Sequence, residues 1–217
     1  MDYSKFKMKN DSLFITATNT DIGKTYTALR IIEHYQKLGL KVGVLKPIET
    51  GVIDIPLDAS KLFNLAVQNH PDLEALGLDY VVPYQFSLPA APSVAKGDAA
   101  ISIDLIIEHY KKIVSVSDIT LVEGAGGLLV PIENDFYMID LIKLLELKTL
   151  LVTSSKLGSI NDTLLSIEAL RSRQINFDWV VNIYQDADSF QSVTAPFYNE
   201  HFGGYKTLDL YLNEDKR

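Results

Sequence analysis

The sequence predicts an α/β fold of three layers, with a mostly parallel central sheet between helices on both faces. Three observations lead there. Short runs of Val, Ile and Leu recur along the chain and read as strands that are apolar on both faces. Segments with helical spacing lie between them, and alternating strands and helices imply parallel pairing with right-handed crossovers. At 217 residues the chain has room for one large core but not for two comfortable ones, so a single domain over 1–217 is expected.

The predicted strands are "SLFITAT" (12–18), "KVGVLKP" (41–47), "DITLVEG" (118–124), "KTLLVTS" (148–154) and "DWVVNIY" (178–184). After the first, Ala28, Ile31, Ile32, Tyr35 and Leu38 repeat at helical spacing; after the fourth, Ile160, Leu164 and Ile167 do so. Ser159 with Asp162 three residues on reads as a capping box for that second helix. The stretch from about Thr50 to Ala100 is broken by Pro56, Pro71, Pro83, Pro89 and Pro92, and is expected to wrap one end of the sheet as loops and short helices.

Composition narrows the function classes. A net charge of −8 argues against a nucleic-acid surface, which needs clustered Lys and Arg to neutralise phosphates. The absence of cysteine removes disulfides, thiolate metal sites and cysteine nucleophiles and fits a reducing compartment. His34, His70, His109 and His201 are far apart and have no metal-ligand spacing. No run is long enough to span a membrane. The charged N-terminus "MDYSKFKMKND" lacks the apolar core of a signal peptide, so a cytoplasmic protein is expected.

Ligands of parallel sheets bind at the carboxyl ends of the strands, so the polar residues that follow each run are the candidates. In "TATNTDIGKTYTA" (16–28), Gly23-Lys24-Thr25 supplies the second half of a phosphate loop: a flexible glycine, a lysine for the terminal phosphates and a hydroxyl for Mg²⁺. The strict pattern would put glycine at Thr18, and a one-residue-longer variant at Ala17, so an incidental helix start stays open. Glu123 closes a strand in "LVEGAGG", where a carboxylate can hold Mg²⁺; a tight glycine turn is the alternative. Lys46, before Pro47, is a second positive charge for an anionic substrate or a solvated strand end. Asp58 is a metal ligand or a helix cap. "SSKLGSIND" offers a helix start for a carboxylate, or plain capping by Ser159.

Together these residues resemble the dethiobiotin synthetase family, whose phosphate loop is a P-loop of the NTPase type. The family pattern G-T-D-T-x-x-G-K-T is similar to Ala17–Thr25, K-P-x-x-[ST]-G to Lys46–Gly51, V-E-G-A-G-G to Val122–Gly127, and K-L-G-x-I-N to Lys156–Asn161. "PYQFSLPAAPSVA" (83–95) also resembles a family stretch. The likeness covers roughly residues 12 to 184.

The resemblance implies an ATP- and Mg²⁺-dependent ligase that closes the ureido ring of dethiobiotin from 7,8-diaminopelargonate and CO₂ (or bicarbonate). Its route would run through a carbamate and a carbamic-phosphoric anhydride. It assigns Lys46, Lys24 and Thr20 to catalysis, and Thr50, Gly126, Gly158, Ser159, Ile160 and Asn161 to the substrate. Asp21, Ile22, Gly23, Lys24, Thr25, Tyr26, Asp58, Glu123, Gly124, Ala125, Gly126 and Asn182 would bind nucleotide, with Thr25, Asp58 and Glu123 on Mg²⁺. A homodimer is implied, with Gly158–Asn161 reaching the neighbouring subunit's substrate. The family's later G-x-I-P stretch has no match after Asn182, which implies weak discrimination between ATP and other nucleoside triphosphates. The rival reading is a partitioning or septum-placement ATPase, ParA/MinD-like; such proteins carry an extra lysine early in the loop, where this chain has Thr18 and Asn19. A nucleotide-binding subunit without catalysis is a further alternative, disfavoured by Lys46, Asp58 and Glu123 occurring together.

Overall fold

The computed structural model describes residues 12–214; the charged N-terminus read above lies outside them. The strands in chain order are β1 (Leu13–Ala17), β2 (Val42–Leu45), β3 (Ile48–Thr50), β4 (Tyr84–Phe86), β5 (Ile119–Gly127), β6 (Pro131–Glu133), β7 (Phe136–Tyr137), β8 (Lys148–Ser154) and β9 (Phe177–Asn182). The helices are α1 (Lys24–Lys37), α2 (Leu57–Ala66), α3 (Pro71–Leu76), α4 (Leu78–Val81), α5 (Pro92–Ala95), α6 (Ile103–Val116), α7 (Met138–Leu144), α8 (Ser159–Ser172), α9 (Ala187–Val193), α10 (Ala195–Phe202) and α11 (Leu208–Glu214).

All five predicted strands join one parallel sheet in the order β2-β5-β1-β8-β9. Every residue of β1 and β2 is buried. Because successive side chains of a strand point to opposite faces, both faces of the sheet are covered, which gives the three layers. The crossover helices do the covering: α1 and α6 lie against β2 and β5, α7 against β5 and α8 against β8. From the central strand β1 the chain moves first to one side of the sheet and later to the other. Its carboxyl end is therefore the point where the winding reverses and a crevice opens.

The proline-broken segment folds into loops and short helices, as expected. It contains the ten-residue helix α2, packed on α1 and β2. It also forms a parallel two-stranded ribbon that pairs Ile48 with Tyr84 and Thr50 with Phe86. Strands of three residues are too short for a period-of-two signal. β2 stops at Leu45, two residues before Pro47, and the Lys46 N–H donates instead to the Val81 carbonyl at 2.8 Å.

The capping box at Ser159 is not formed. Gly158, at φ +94°, takes the cap position with no side-chain cap, so Ser159 is already inside α8 and buried. A left-handed cap is open to glycine at no steric cost, and the Ser159 hydroxyl accepts from the Tyr198 hydroxyl at 3.4 Å instead. Residues after β9 fold into α9–α11 and seat a small aromatic cluster around Phe190 and Tyr198. They return to the sheet where the Val181 N–H donates to the Lys206 carbonyl at 2.8 Å.

Candidate active site

The loop between β1 and α1 turns at two positive-φ positions, Asp21 (+57°) and Gly23 (+102°). A Cβ on Gly23 would run into the Asn182 side chain, so glycine is required there twice over. Two residues from β9 and just beyond it pin the loop from behind: the Asn182 amide donates to the Ile22 carbonyl at 2.9 Å, and the Tyr184 hydroxyl donates to the Asp21 carbonyl. The first-turn N–H groups of Lys24, Thr25 and Tyr26 have no intrahelical acceptor. Those three residues line a cavity of about 720 Å³. Phosphate is the natural ligand of such a helix start.

Ala17 does not take part in the turn. It is fully buried at the end of β1, paired regularly with Val152 on one side and, after a register shift beyond Ile15, with Gly127 on the other, and its φ is not positive. The position where the resemblance wants glycine is thus one where this backbone does not need it.

The charged groups converge on the cavity floor. Lys46, 3% exposed, is a buried cation and not a solvated strand end. Its Nζ lies 2.5 Å from Glu123 Oε1, 3.7 Å from Asp58 Oδ2 and 3.2 Å from the Gly124 carbonyl. The Thr25 hydroxyl donates to the same Glu123 oxygen at 2.9 Å. Burial alone would lower the Lys46 ammonium, but Glu123 and Asp58 outweigh it and hold its pKa above the ordinary lysine value. Lys24 goes the other way: burial first, then the charge of Lys46, brings it down to about 8. Its Nζ donates to the Asn19 carbonyl across the loop at 3.1 Å. Asp58 is in the first turn of α2, not at its cap, and its carboxylate points to Lys46.

Among the described residues no group of three His, Cys, Asp or Glu side chains is arranged to hold a metal ion. What the floor offers is two carboxylates and a hydroxyl, a set that suits Mg²⁺ sharing its remaining positions with phosphate oxygens and water. Glu123 Oε2 fits that reading, since it is buried with no hydrogen-bond partner, and an orphaned buried carboxylate oxygen calls for a cation.

Thr20, Asp21, Gly23–Tyr26, Lys46, Thr50, Asp58, Ala125 and Gly126 all line the cavity. Ile22, Glu123, Gly124, Asn182 and Gly158–Asn161 do not; Glu123 reaches the cavity through Thr25 and Lys46, both of which donate to its Oε1. Ile22 points into the core. Gly124 is a packing glycine whose missing Cβ leaves room for the Phe14 ring. Gly158, Leu157 and Asn161 are exposed at the start of α8. The sequence reading gave no role to Glu49, nor to the wall of the cavity from Pro89 to Pro92. The ribbon β3–β4 delivers that wall, through Gly51 N–H to the Leu88 carbonyl (3.3 Å) and Val52 N–H to the Phe86 carbonyl (3.0 Å). The likeness at 83–95 was the signal for it.

A family model described as an AAA domain matches residues 11–204. The chain is 52% identical to the ATP-dependent dethiobiotin synthetase BioD of Sulfurovum sp. (strain NBC37-1), over 88% of this chain and 91% of that protein. It is 38% identical to the protein of the same name from Wolinella succinogenes, over 93% and 94%. The one from Methanocaldococcus jannaschii is also 38% identical, over 78% of each. Solved structures similar in fold include the MinD cell division protein of Aquifex aeolicus, at 19% identity and TM-score 0.51, covering 90% of this chain and 80% of that one. A ParA family ATPase from Chlorobium tepidum TLS is 12% identical, with TM-score 0.54, over 90% and 82%. These two show a likeness of fold and nothing about activity.

Proposed function

The chain belongs to the family of ATP-dependent dethiobiotin synthetases, and on that premise we propose how its own residues carry out the ring closure. The enzyme is an ATP-dependent ligase of biotin biosynthesis. One amine of 7,8-diaminopelargonate takes up CO₂ as a carbamate. A carbamate oxygen attacks the γ-phosphorus of ATP and ADP leaves; the second amine then attacks the carbonyl carbon of the mixed anhydride, expelling phosphate and closing the ureido ring.

The observation that carries this reading is Lys46, buried between Glu123 and Asp58 above the phosphate loop. Phosphoryl transfer depends mainly on positioning and charge neutralisation. Lys24 and Lys46 neutralise the carbamate and the transferring phosphoryl, while Thr20 and Thr50 hydrogen-bond the carbamate and the amines. The N–H groups from Asp21 to Tyr26 cradle the phosphates, with Ala125 and Gly126 opposite them. Thr25, Asp58 and Glu123 would hold Mg²⁺, which would supply further neutralisation of the phosphate charge. Asn182 acts on the nucleotide from behind the loop, through the Ile22 carbonyl.

Gly158–Asn161 lie outside the cavity of their own chain and so serve a neighbouring subunit, where they take the substrate's distant carboxylate. The exposed Leu157 and Leu165 beside them support a homodimer with interfacial sites. We read the whole chain as one cytoplasmic P-loop unit; among the described residues no helix is long and apolar enough to cross a membrane.

The test is phosphate release from ATP and Mg²⁺, with and without diaminopelargonate and bicarbonate. Strict dependence on the diamine is expected. Hydrolysis that ignores the diamine would overturn the assignment in favour of a switch ATPase.

A further inference from the structure

Glu49 stands three residues after Lys46 and one before Thr50, at a position the K-P-x-x-[ST]-G pattern leaves open. It is buried, 7% exposed, at the edge of the cavity. Both of its carboxylate oxygens accept backbone N–H groups, Oε1 from Asp58 at 2.9 Å and Oε2 from Ala59 at 2.8 Å. These are first-turn donors of α2, which helical bonding leaves unsatisfied. Pro56 precedes the helix and supplies no side-chain cap. A carboxylate from another strand has taken over that duty, at the positive end of the helix where negative charge is favoured.

Two charge-assisted hydrogen bonds to successive amides fix the first turn in both rotation and distance. Asp58 is on that turn, and its carboxylate faces Lys46 at 3.7 Å. We propose that Glu49 is a positioning residue for this reaction: it cross-caps α2 so that the Asp58 carboxylate is held at the metal and nucleotide site. One side chain thereby ties the lysine-bearing strand segment to the metal-binding helix. The inference rests on the assignment of Asp58 to Mg²⁺ made above.

A merely stabilising cap and a positioning residue have different signatures. Loss of a stabilising cap lowers the active fraction and leaves the Mg²⁺ dependence alone. Loss of a positioning residue weakens metal binding and is rescued by excess metal. The experiment uses the full-length enzyme and compares Glu49→Gln, Glu49→Ala and Asp58→Asn. Diamine-dependent phosphate release is titrated with Mg²⁺, and Mn²⁺ binding in the presence of ADP is followed by electron paramagnetic resonance. For Glu49→Ala both the Mg²⁺ midpoint and the Mn²⁺ dissociation constant rise about tenfold or more, the range commanded by groups that orient metal ligands. Turnover at saturating Mg²⁺ largely recovers. Glu49→Gln, with one acceptor oxygen left, falls between wild type and Glu49→Ala, and it decides the matter if the alanine variant fails to fold. An unchanged midpoint in Glu49→Gln beside a shifted one in Asp58→Asn overturns the role of Glu49 alone. An unchanged midpoint in Asp58→Asn removes Asp58 from the metal site, and the role of Glu49 falls with it.

Discussion

Replacing Lys46 by alanine is expected to cost both stability and turnover, for separable reasons. In the metal-free protein Lys46 is the cation paired with Glu123, which is 1% exposed. Without it Glu123 keeps only the Thr25 hydroxyl, and its second oxygen already has no partner. Breaking a buried ion pair from one side costs about 3–5 kcal/mol, because the remaining charge is left uncompensated. At roughly 2–4 °C per kcal/mol for a chain of this size, the melting temperature should fall by about 6–20 °C. The assay is a thermal melt in EDTA. The double variant Lys46→Met, Glu123→Gln carries no unpaired charge and should regain most of the loss, as apolar or neutral replacement of a buried pair usually does. Turnover behaves differently: Lys46→Ala should lose about 10²–10³-fold in kcat, the usual consequence of removing one preorganised charge from a transition state. Binding of a fluorescent nucleotide should persist, since the loop's own N–H groups and Lys24 remain. A melting temperature unchanged in EDTA would refute the buried pair, and a kcat within about threefold of wild type would refute the catalytic role.

Gly23→Ala forces a side chain into the left-handed region and against Asn182; a strain of about 1–3 kcal/mol should weaken nucleotide binding by roughly 5- to 150-fold in a calorimetric titration. Ala17→Gly, by contrast, should leave nucleotide affinity unchanged while losing about 1–2 kcal/mol of stability through a buried methyl and added backbone freedom; tighter nucleotide binding in that variant would contradict the strand assignment of Ala17. His70 is fully buried, accepts from the Leu73 N–H at Nδ1 and bonds Ser117 at Nε2. Its pKa is lowered by burial and then by Lys41, against the smaller pull of Asp72 and Asp118. The fold therefore favours the neutral ring: this stability is fully present above about pH 6.5 and is lost as pH falls toward the lower folded value. Denaturant melts across pH 7 to 5 should show the decline, and His70→Asn should flatten it. Finally, with no G-x-I-P stretch after Asn182 and one Asn182 amide N–H engaged by the Ile22 carbonyl, kcat/KM for GTP and CTP should be comparable to that for ATP; a hundredfold preference for ATP, some 2.7 kcal/mol, would refute weak base discrimination.

The sheet was legible because each of its five strands is a run of β-branched and aliphatic residues long enough to be seen without partners. The short ribbon β3–β4 was not, since a three-residue strand exists only through its pairing, here Ile48 to Tyr84 and Thr50 to Phe86. Of the site, the residues that name themselves by chemistry were readable: Gly23-Lys24-Thr25, Lys46 and Glu123. The relation that makes them a site was not readable. No local pattern says that Lys46 and Glu123, 77 positions apart, share a buried oxygen with Thr25. Nor does any pattern say that Glu49 caps a helix it does not belong to. Local capping rules misled at Ser159 for the same reason, because Gly158 could adopt the left-handed cap that frees the serine for Tyr198.

The departure at Ala17 shows how a motif can be broken without breaking its mechanism. A glycine in a phosphate loop is needed where the chain must turn with positive φ or where a ligand approaches the backbone. In this chain the turn is made at Asp21 and Gly23, and the non-glycine member is secured by Tyr184, whose hydroxyl binds the Asp21 carbonyl. The burden of the loop's geometry has thus moved toward the helix and onto residues at the end of β9. Tyr184, at the very end of the stretch that resembles the family, is one of the residues that hold the loop in place. A change at Tyr184 should then act on phosphate binding before it acts on the base, a consequence that the position of Tyr184 in the sequence would not suggest.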